Sequence, residues 1–277
     1  MKNAWPAFVL LFVCKLLPGQ TNPAAPSKHG YAGRVKSLHE TVRYFDALAV
    51  ELPAKKVETL SVFGIDELLE SVNVYRDGRL LSTLRYDYTD KNLPLAATEY
   101  NPDGSVYLKI SYELDEHGFV VAENYDRSEQ KLVGENREAV DVEYYAYYQE
   151  LFTCIRIKNE FTGRKVEQVF IKGDGQVGLR YTYEYDYRGM LTSSKYYHGN
   201  KELVWQTKFQ YDRHGRLKLK KVFKNNYLIQ TTRYTYQTDA YGNWIERTAE
   251  SKVADNIFNQ LFTEGTEITT RQFTYYD

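Results

Sequence analysis

Cysteine is nearly absent. The 277-residue chain carries two, Cys14 and Cys154, and the first falls in a leader, so the mature protein has no intramolecular disulfide and is held by packing alone. Charge of one sign is also lacking, with 36 Lys and Arg against 37 Asp and Glu. Loss of Lys2 and Lys15 with the leader moves the net charge from −1 to −3, which leaves no basic face for a general grip on nucleic acid. Proline (7) and glycine (17) are too few for a collagenous or low-complexity chain. Long hydrophobic runs are missing as well. The one apolar core, Ala7 to Leu17, is broken by Lys15 and falls short of the roughly 20 residues a membrane span needs. Behind Lys2 it reads as an export signal over residues 1–19, cleaved after Gly19. Cys14 would be the lipidated residue of a lipoprotein signal, but Val13 stands where a small residue is expected. Residues 20–30, with Pro23 and Pro26, read as a flexible linker. Residues 31–277 form the folded domain. No transmembrane segment remains after cleavage, so the expected location is the periplasm, the cell surface or the exterior.

What the chain has in excess is aromatic residues, with 26 Tyr, 13 Phe and 3 Trp. These fit a pleated surface. Turn signals recur about every 13 residues, as at Asp77-Gly78, Asp103-Gly104, Glu116-His117-Gly118, Arg188-Gly189 and His214-Gly215. That pitch holds a strand and a tight turn, and is too short for a parallel crossover. Between turns the residues alternate with period two. Val106, Leu108, Ile110, Tyr112 and Leu114 share one face; so do Val177, Leu179, Tyr181, Tyr183 and Tyr185, and so do Trp205, Thr207, Phe209 and Tyr211.

The expected fold is therefore all-β, a large antiparallel meander of tandem hairpins with about 14–16 strands. A flat sheet of that size would be roughly 70 Å wide with one uncovered aromatic face. It is expected to curl over that face as a single-layer sheet or half-pipe. Tyr31 to Val50 reads as a first strand. Glu51 to Glu70, interrupted by Pro53, reads as a short helix or irregular crossover. Ala254 to Phe262 reads as a helical turn or wide loop before a last strand from Glu267 to Tyr276.

Tyr185-Asp186-x-x-Gly189-x-Leu191 and Tyr211-Asp212-x-x-Gly215-Arg216-Leu217 resemble the Tyr-Asp repeats of Rhs-type proteins, and the layout is similar to small secreted bacterial proteins built from such hairpins. Tyr112-Glu113-Leu114-Asp115-Glu116-His117-Gly118-Phe119 and the copy from Asp239 to Trp244 are degenerate. The resemblance implies an extended curved sheet in a cell-envelope or extracellular setting, and a link to carbohydrate binding. It brings no catalytic residue.

No catalytic, metal or cofactor site is read from the residues. Gly173-Asp174-Gly175-Gln176-Val177-Gly178 fits a dinucleotide-binding pattern, but a tyrosine-rich strand follows it where a helix is required. His117 and His214 occupy equivalent turn positions and read as solvated. Asp186 and Asp212 read as turn formers. Lys218, Lys220, Lys221 and Lys224 read as a solvated face, and Cys154 as a small hydrophobe on a strand. The aromatic surface carries the functional expectation, with Trp205, Tyr211, Tyr183 and Trp244 as binding residues for a glycan or a cell-envelope protein. The leading reading is an exported non-enzymatic binding protein. The alternatives are an assembly element that pairs through sheet edges and a hydrolase with an unrecognised carboxylate site.

Overall fold

The structure is a computed structural model that describes residues 31, 33–52, 56–126, 152–199, 202–254 and 261–276. It contains sixteen strands: β1 (Val35–Asp46), β2 (Val57–Phe63), β3 (Leu69–Arg76), β4 (Arg79–Tyr88), β5 (Pro94–Tyr100), β6 (Val106–Leu114), β7 (Val120–Asp126), β8 (Phe152–Asn159), β9 (Lys165–Lys172), β10 (Val177–Tyr185), β11 (Leu191–His198), β12 (Glu202–Tyr211), β13 (Leu217–Lys224), β14 (Tyr227–Thr238), β15 (Trp244–Ala254) and β16 (Leu261–Tyr275). Every strand pairs antiparallel with its neighbours in sequence, and β1 pairs with β16 to close a barrel.

The antiparallel meander follows the sequence expectation, whereas the half-pipe does not. A half-pipe would leave β1 and β16 with unpaired N–H and C=O groups along their lengths. Closure pairs them from Val35↔Tyr275 to Asp46↔Gly265. A Cβ on Gly265 would run into the Phe45 carbonyl, so the seam needs glycine there for close approach. The edge-pairing role loses its basis, because among the described strands the order closes on itself and leaves no edge strand.

Within Glu51 to Glu70, expected as a short helix or irregular crossover, residues 57–63 are strand β2, and a five-residue turn leads into β3. Leu60, Phe63 and Leu68-Leu69 have helix-like spacing, but Thr59, Ser61 and Val62 give the segment enough β-branched and small polar residues to join the sheet. β16 begins at Leu261, ahead of the expected start at Glu267. The rest of the expected loop, 255–260, lies outside the described residues.

The two rims differ. Seven turns on one rim share one design. In the turn after β10, the Asp186 N–H donates to the Met190 carbonyl at 2.9 Å and the Gly189 N–H donates back to the Asp186 carbonyl at 2.9 Å. Asp186 Oδ1 also accepts from the N–H groups of Arg188 and Met190, each at 2.9 Å. Asp115, Asp212 and Asp239 do the same in their turns. The fourth residue is left-handed in each turn: Glu67, Asn92, Gly118, Gly163, Gly189, Gly215 and Gly242, with φ from 59° to 88°. That is why the repeat reads Asp-x-x-Gly. Tyrosines near the ends of the preceding strands have a role of their own, and one of them, Tyr185, stands directly before its Asp. Tyr88, Tyr185 and Tyr236 donate their hydroxyls to the carbonyls of Leu69, Lys165 and Leu217, each at 2.8 Å, clasping the end of one strand to the start of its neighbour. The opposite rim mixes two-residue turns, Asp77-Gly78 and Asn225-Asn226, with longer connections. Both two-residue turns have positive φ at each central residue, the primed geometry that suits hairpin twist. Gly173–Gln176 is one of the hairpin turns on this rim, with the Gly175 N–H bonded to the Lys172 carbonyl, so the glycine-rich stretch cradles no phosphate.

Candidate binding surface inside the barrel

The cross-strand register sorts each strand into an inner and an outer face. Leu38, Val42, Val72, Ala97, Leu108, Ile155, Ile157, Leu179, Tyr181, Val222, Tyr234, Ala249 and Thr269 all fall on the same side and are buried. This is the concave face, where neighbouring side chains crowd together. The other face is charged. Arg85, Lys109, Arg156, Arg180, Lys208 and Arg233 point outward from β4, β6, β8, β10, β12 and β14, joined by Glu113, Glu184 and Glu250. The exterior thus carries lysines and arginines that lie over outward rings such as Tyr100, Tyr197 and Phe223, and the interior carries most of the buried apolar side chains. A ring of sixteen strands would be roughly 30 Å across, and barrels of this size enclose a channel.

Five consecutive strands build an aromatic ladder on the inner face. Phe152, Phe170, Tyr181, Tyr196 and Trp205 follow one another with ring centroids 5.4, 5.7, 5.1 and 5.1 Å apart. Trp205 stacks on Tyr196 at an interplanar angle of 23°, and its buried indole N–H has no partner. Tyr183 lies beside the ladder and donates its hydroxyl to Gln168 Oε1 at 3.0 Å. Tyr211 ends β12 at the regular rim, where burial pushes its phenol up to about 12. The structure therefore gathers three of the four aromatics expected to bind, Trp205, Tyr183 and Tyr211, on the inner wall of β10 and β12.

Trp244 lies on a different part of the wall, next to the seam. The Arg271 guanidinium sits 3.4 Å from its ring centroid and 5.6 Å from that of Tyr31. Arg271 Nε donates to Glu40 Oε2 at 2.8 Å across the β1–β16 pair. Arg247 lies over Tyr234 and Trp244 and donates through Nη2 to Glu267 at 2.7 Å and to Thr269 at 3.0 Å. Burial works against the Arg247 charge, but Glu267 and the neighbouring phenols and carboxylates outweigh it, so its pKa lies above the usual guanidinium value. Trp244 is thus a platform for internal cations. Sequence reasoning missed these charges because Arg247, Glu267 and Arg271 sit in mixed strands, and only the register shows that they face inward.

Other expected features hold no site. His117 and His214 lie in separate turns of the regular rim, and no group of His, Cys, Asp or Glu among the described residues is arranged to hold a metal ion. Asp186 and Asp212 are held below the ordinary carboxyl value, Asp186 chiefly by the Met190 N–H, and Asp212 by the Arg216 N–H and side chain against an opposing burial effect. Burial raises the Cys154 thiol, which is the opposite of what a nucleophile needs.

No family model and no curated protein matches the chain. Among solved structures, the chain is similar to a porin-like protein from Bacteroides uniformis, with a TM-score of 0.57 and 11% identity over 92% of this chain and 100% of that one. At that identity the likeness shows the fold alone. The Tc holotoxin pore of Photorhabdus luminescens matches with a TM-score of 0.32 and 12% identity, over 77% of this chain and 14% of that one. A likeness this weak carries no structural argument, so the Rhs resemblance rests on the Tyr-Asp turn motif.

Proposed function

We propose that the chain is an exported, non-enzymatic binding protein of the cell envelope that stays surrounded by water and holds its ligand on the inner wall of the barrel. The observation that carries this reading is the polarity of the two faces. An arginine or lysine facing lipid at mid-membrane costs about 2–4 kcal/mol. Six alternate strands, β4 to β14, each place one on the outside. An exterior of this kind suits water, and an interior lined with rings and hydrogen-bonding groups suits an extended ligand. An envelope glycan fits this chemistry, because aromatic walls take the apolar faces of sugars, and Gln168, Gln230 and Thr232 on the same inner face carry groups able to hydrogen-bond hydroxyls.

The test is a glycan array with the exported chain, followed by calorimetry on its hits. Trp205→Ala and Tyr183→Ala are expected to weaken binding at least tenfold with the fold retained, while outward Lys208→Ala leaves it unchanged. Partition of the purified chain into lipid vesicles, or loss of binding from the outward variant alone, would reverse the assignment of faces.

A further inference from the structure

The seam shows how this barrel accommodates a cation. A guanidinium lies on aromatic rings and its charge is answered by a carboxylate, as Arg271 does with Trp244, Tyr31 and Glu40. A second patch of the inner wall has the carboxylate and the rings but no cation. Glu123 on β7 is 5% exposed. It lies directly opposite Tyr112 of β6, and its Oε2 accepts a 2.6 Å hydrogen bond from the Tyr125 hydroxyl. Among the described residues no Lys or Arg pairs with it, whereas Glu40 and Glu267 both have arginine partners.

Tyr86 of β4 reaches the same patch. The residue between it and β6 is Ala97, fully buried and too small to separate the rings. Burial raises the phenols of both Tyr86 and Tyr112, and the neighbours that act on them, including Glu123, push the same way. No cation offsets them. Neither ring enters a ring–ring or cation–ring pair among the described residues, unlike those of Trp205 and Trp244. A buried carboxylate without a cationic partner is costly, and rings beside a carboxylate are the usual receptor for an ammonium group.

We propose that Glu123, with Tyr86, Tyr112 and Tyr125, is the subsite for an ammonium group on the ligand. The proposal rests on the reading that the ligand is held inside the barrel. The ammonium could belong to an amino sugar or to a choline-type headgroup, and the probes separate the two.

The experiment is calorimetric titration of the full chain with a glucosamine tetramer, its N-acetylated counterpart, choline, and the neutral choline isostere 3,3-dimethylbutanol. At least one cationic probe is expected to bind ten or more times tighter than its neutral counterpart. Glu123→Gln keeps the shape and is expected to abolish that preference, with a melting temperature at or above that of the parent chain. Tyr112→Leu should weaken both cationic probes. Equal binding of charged and neutral probes, or an unchanged preference in Glu123→Gln, overturns the subsite. If the N-acetylated tetramer binds and Trp205→Ala abolishes it while no cation is preferred, the subsite falls and the barrel reading stands. If no probe binds and the array is blank, both fall.

Discussion

Glu40→Leu should destabilise the barrel far more than the loss of a surface charge. The carboxylate is paired across the junction of the first and last strands, which meet without a connecting loop. The Glu40 and Arg271 side chains are 14% and 16% exposed, so removing one leaves the other buried without its partner, at a cost of about 3–5 kcal/mol. For a chain of this size each kcal/mol moves the midpoint by about 2–4 °C, which predicts a fall of roughly 6–20 °C. The double variant Glu40→Leu/Arg271→Met removes both charges and should recover most of that loss, because a well-packed apolar pair often matches a buried ion pair. What the double variant loses is the penalty on slippage. A shift of two residues puts Glu40 opposite Thr269 or Phe273, and in the parent chain that strands two charges in the interior. Urea unfolding followed by tryptophan fluorescence measures the energies, and hydrogen exchange on β1 and β16 reads the seam. Single variants that each cost less than about 1 kcal/mol and add in the double would refute the reasoning.

Other outcomes follow from the regular rim. Gly189→Ala places a side chain at φ +80° against the Arg164 guanidinium and should cost about 1–2 kcal/mol by thermal melting. Tyr185→Phe removes the hydroxyl clasp to the Lys165 carbonyl and should cost about 1 kcal/mol, with faster exchange at the adjoining turns. The Asp186 and Asp212 carboxyls are depressed in the folded state. The stability they contribute is therefore complete above their unfolded value of about 3.9 and is lost as pH falls through the lower folded values. Acid unfolding monitored by circular dichroism should steepen below pH of about 4 in the parent chain, and less so in Asp186→Asn/Asp212→Asn. Leu108→Ala opens a cavity at a side chain that is 2% exposed and should cost about 2–5 kcal/mol.

Strand direction and facing were legible wherever alternation was clean. Val106 to Leu114, Val177 to Tyr185 and Trp205 to Tyr211 became β6, β10 and β12 with the expected residues turned inward. Closure was not legible, because alternation says which face must be hidden and says nothing of whether the first and last strands meet. β2 was obscured because Leu60 and Phe63 imitate a helical stripe. The binding aromatics were partly legible: the parity of Trp205, Tyr183 and Tyr211 placed them together, whereas Trp244 depended on arginines from the next strand over. Glu123 was invisible, since Val120-Val121-Ala122-Glu123 alternates poorly around the bulge that precedes it. A glutamate two residues before a tyrosine was the available signal, and it has meaning only once Tyr112 is known to lie across from it.

The matched turns along one rim also set how such a barrel can change size. One Tyr-Asp-x-x-Gly unit carries two strands, out and back, so adding or deleting a unit widens or narrows the wall by a whole hairpin and keeps the strand number even. An even number is what allows the ends to meet antiparallel. Relatives of different circumference are thus reachable by copying a single segment of the chain, with every surviving seam contact kept in place.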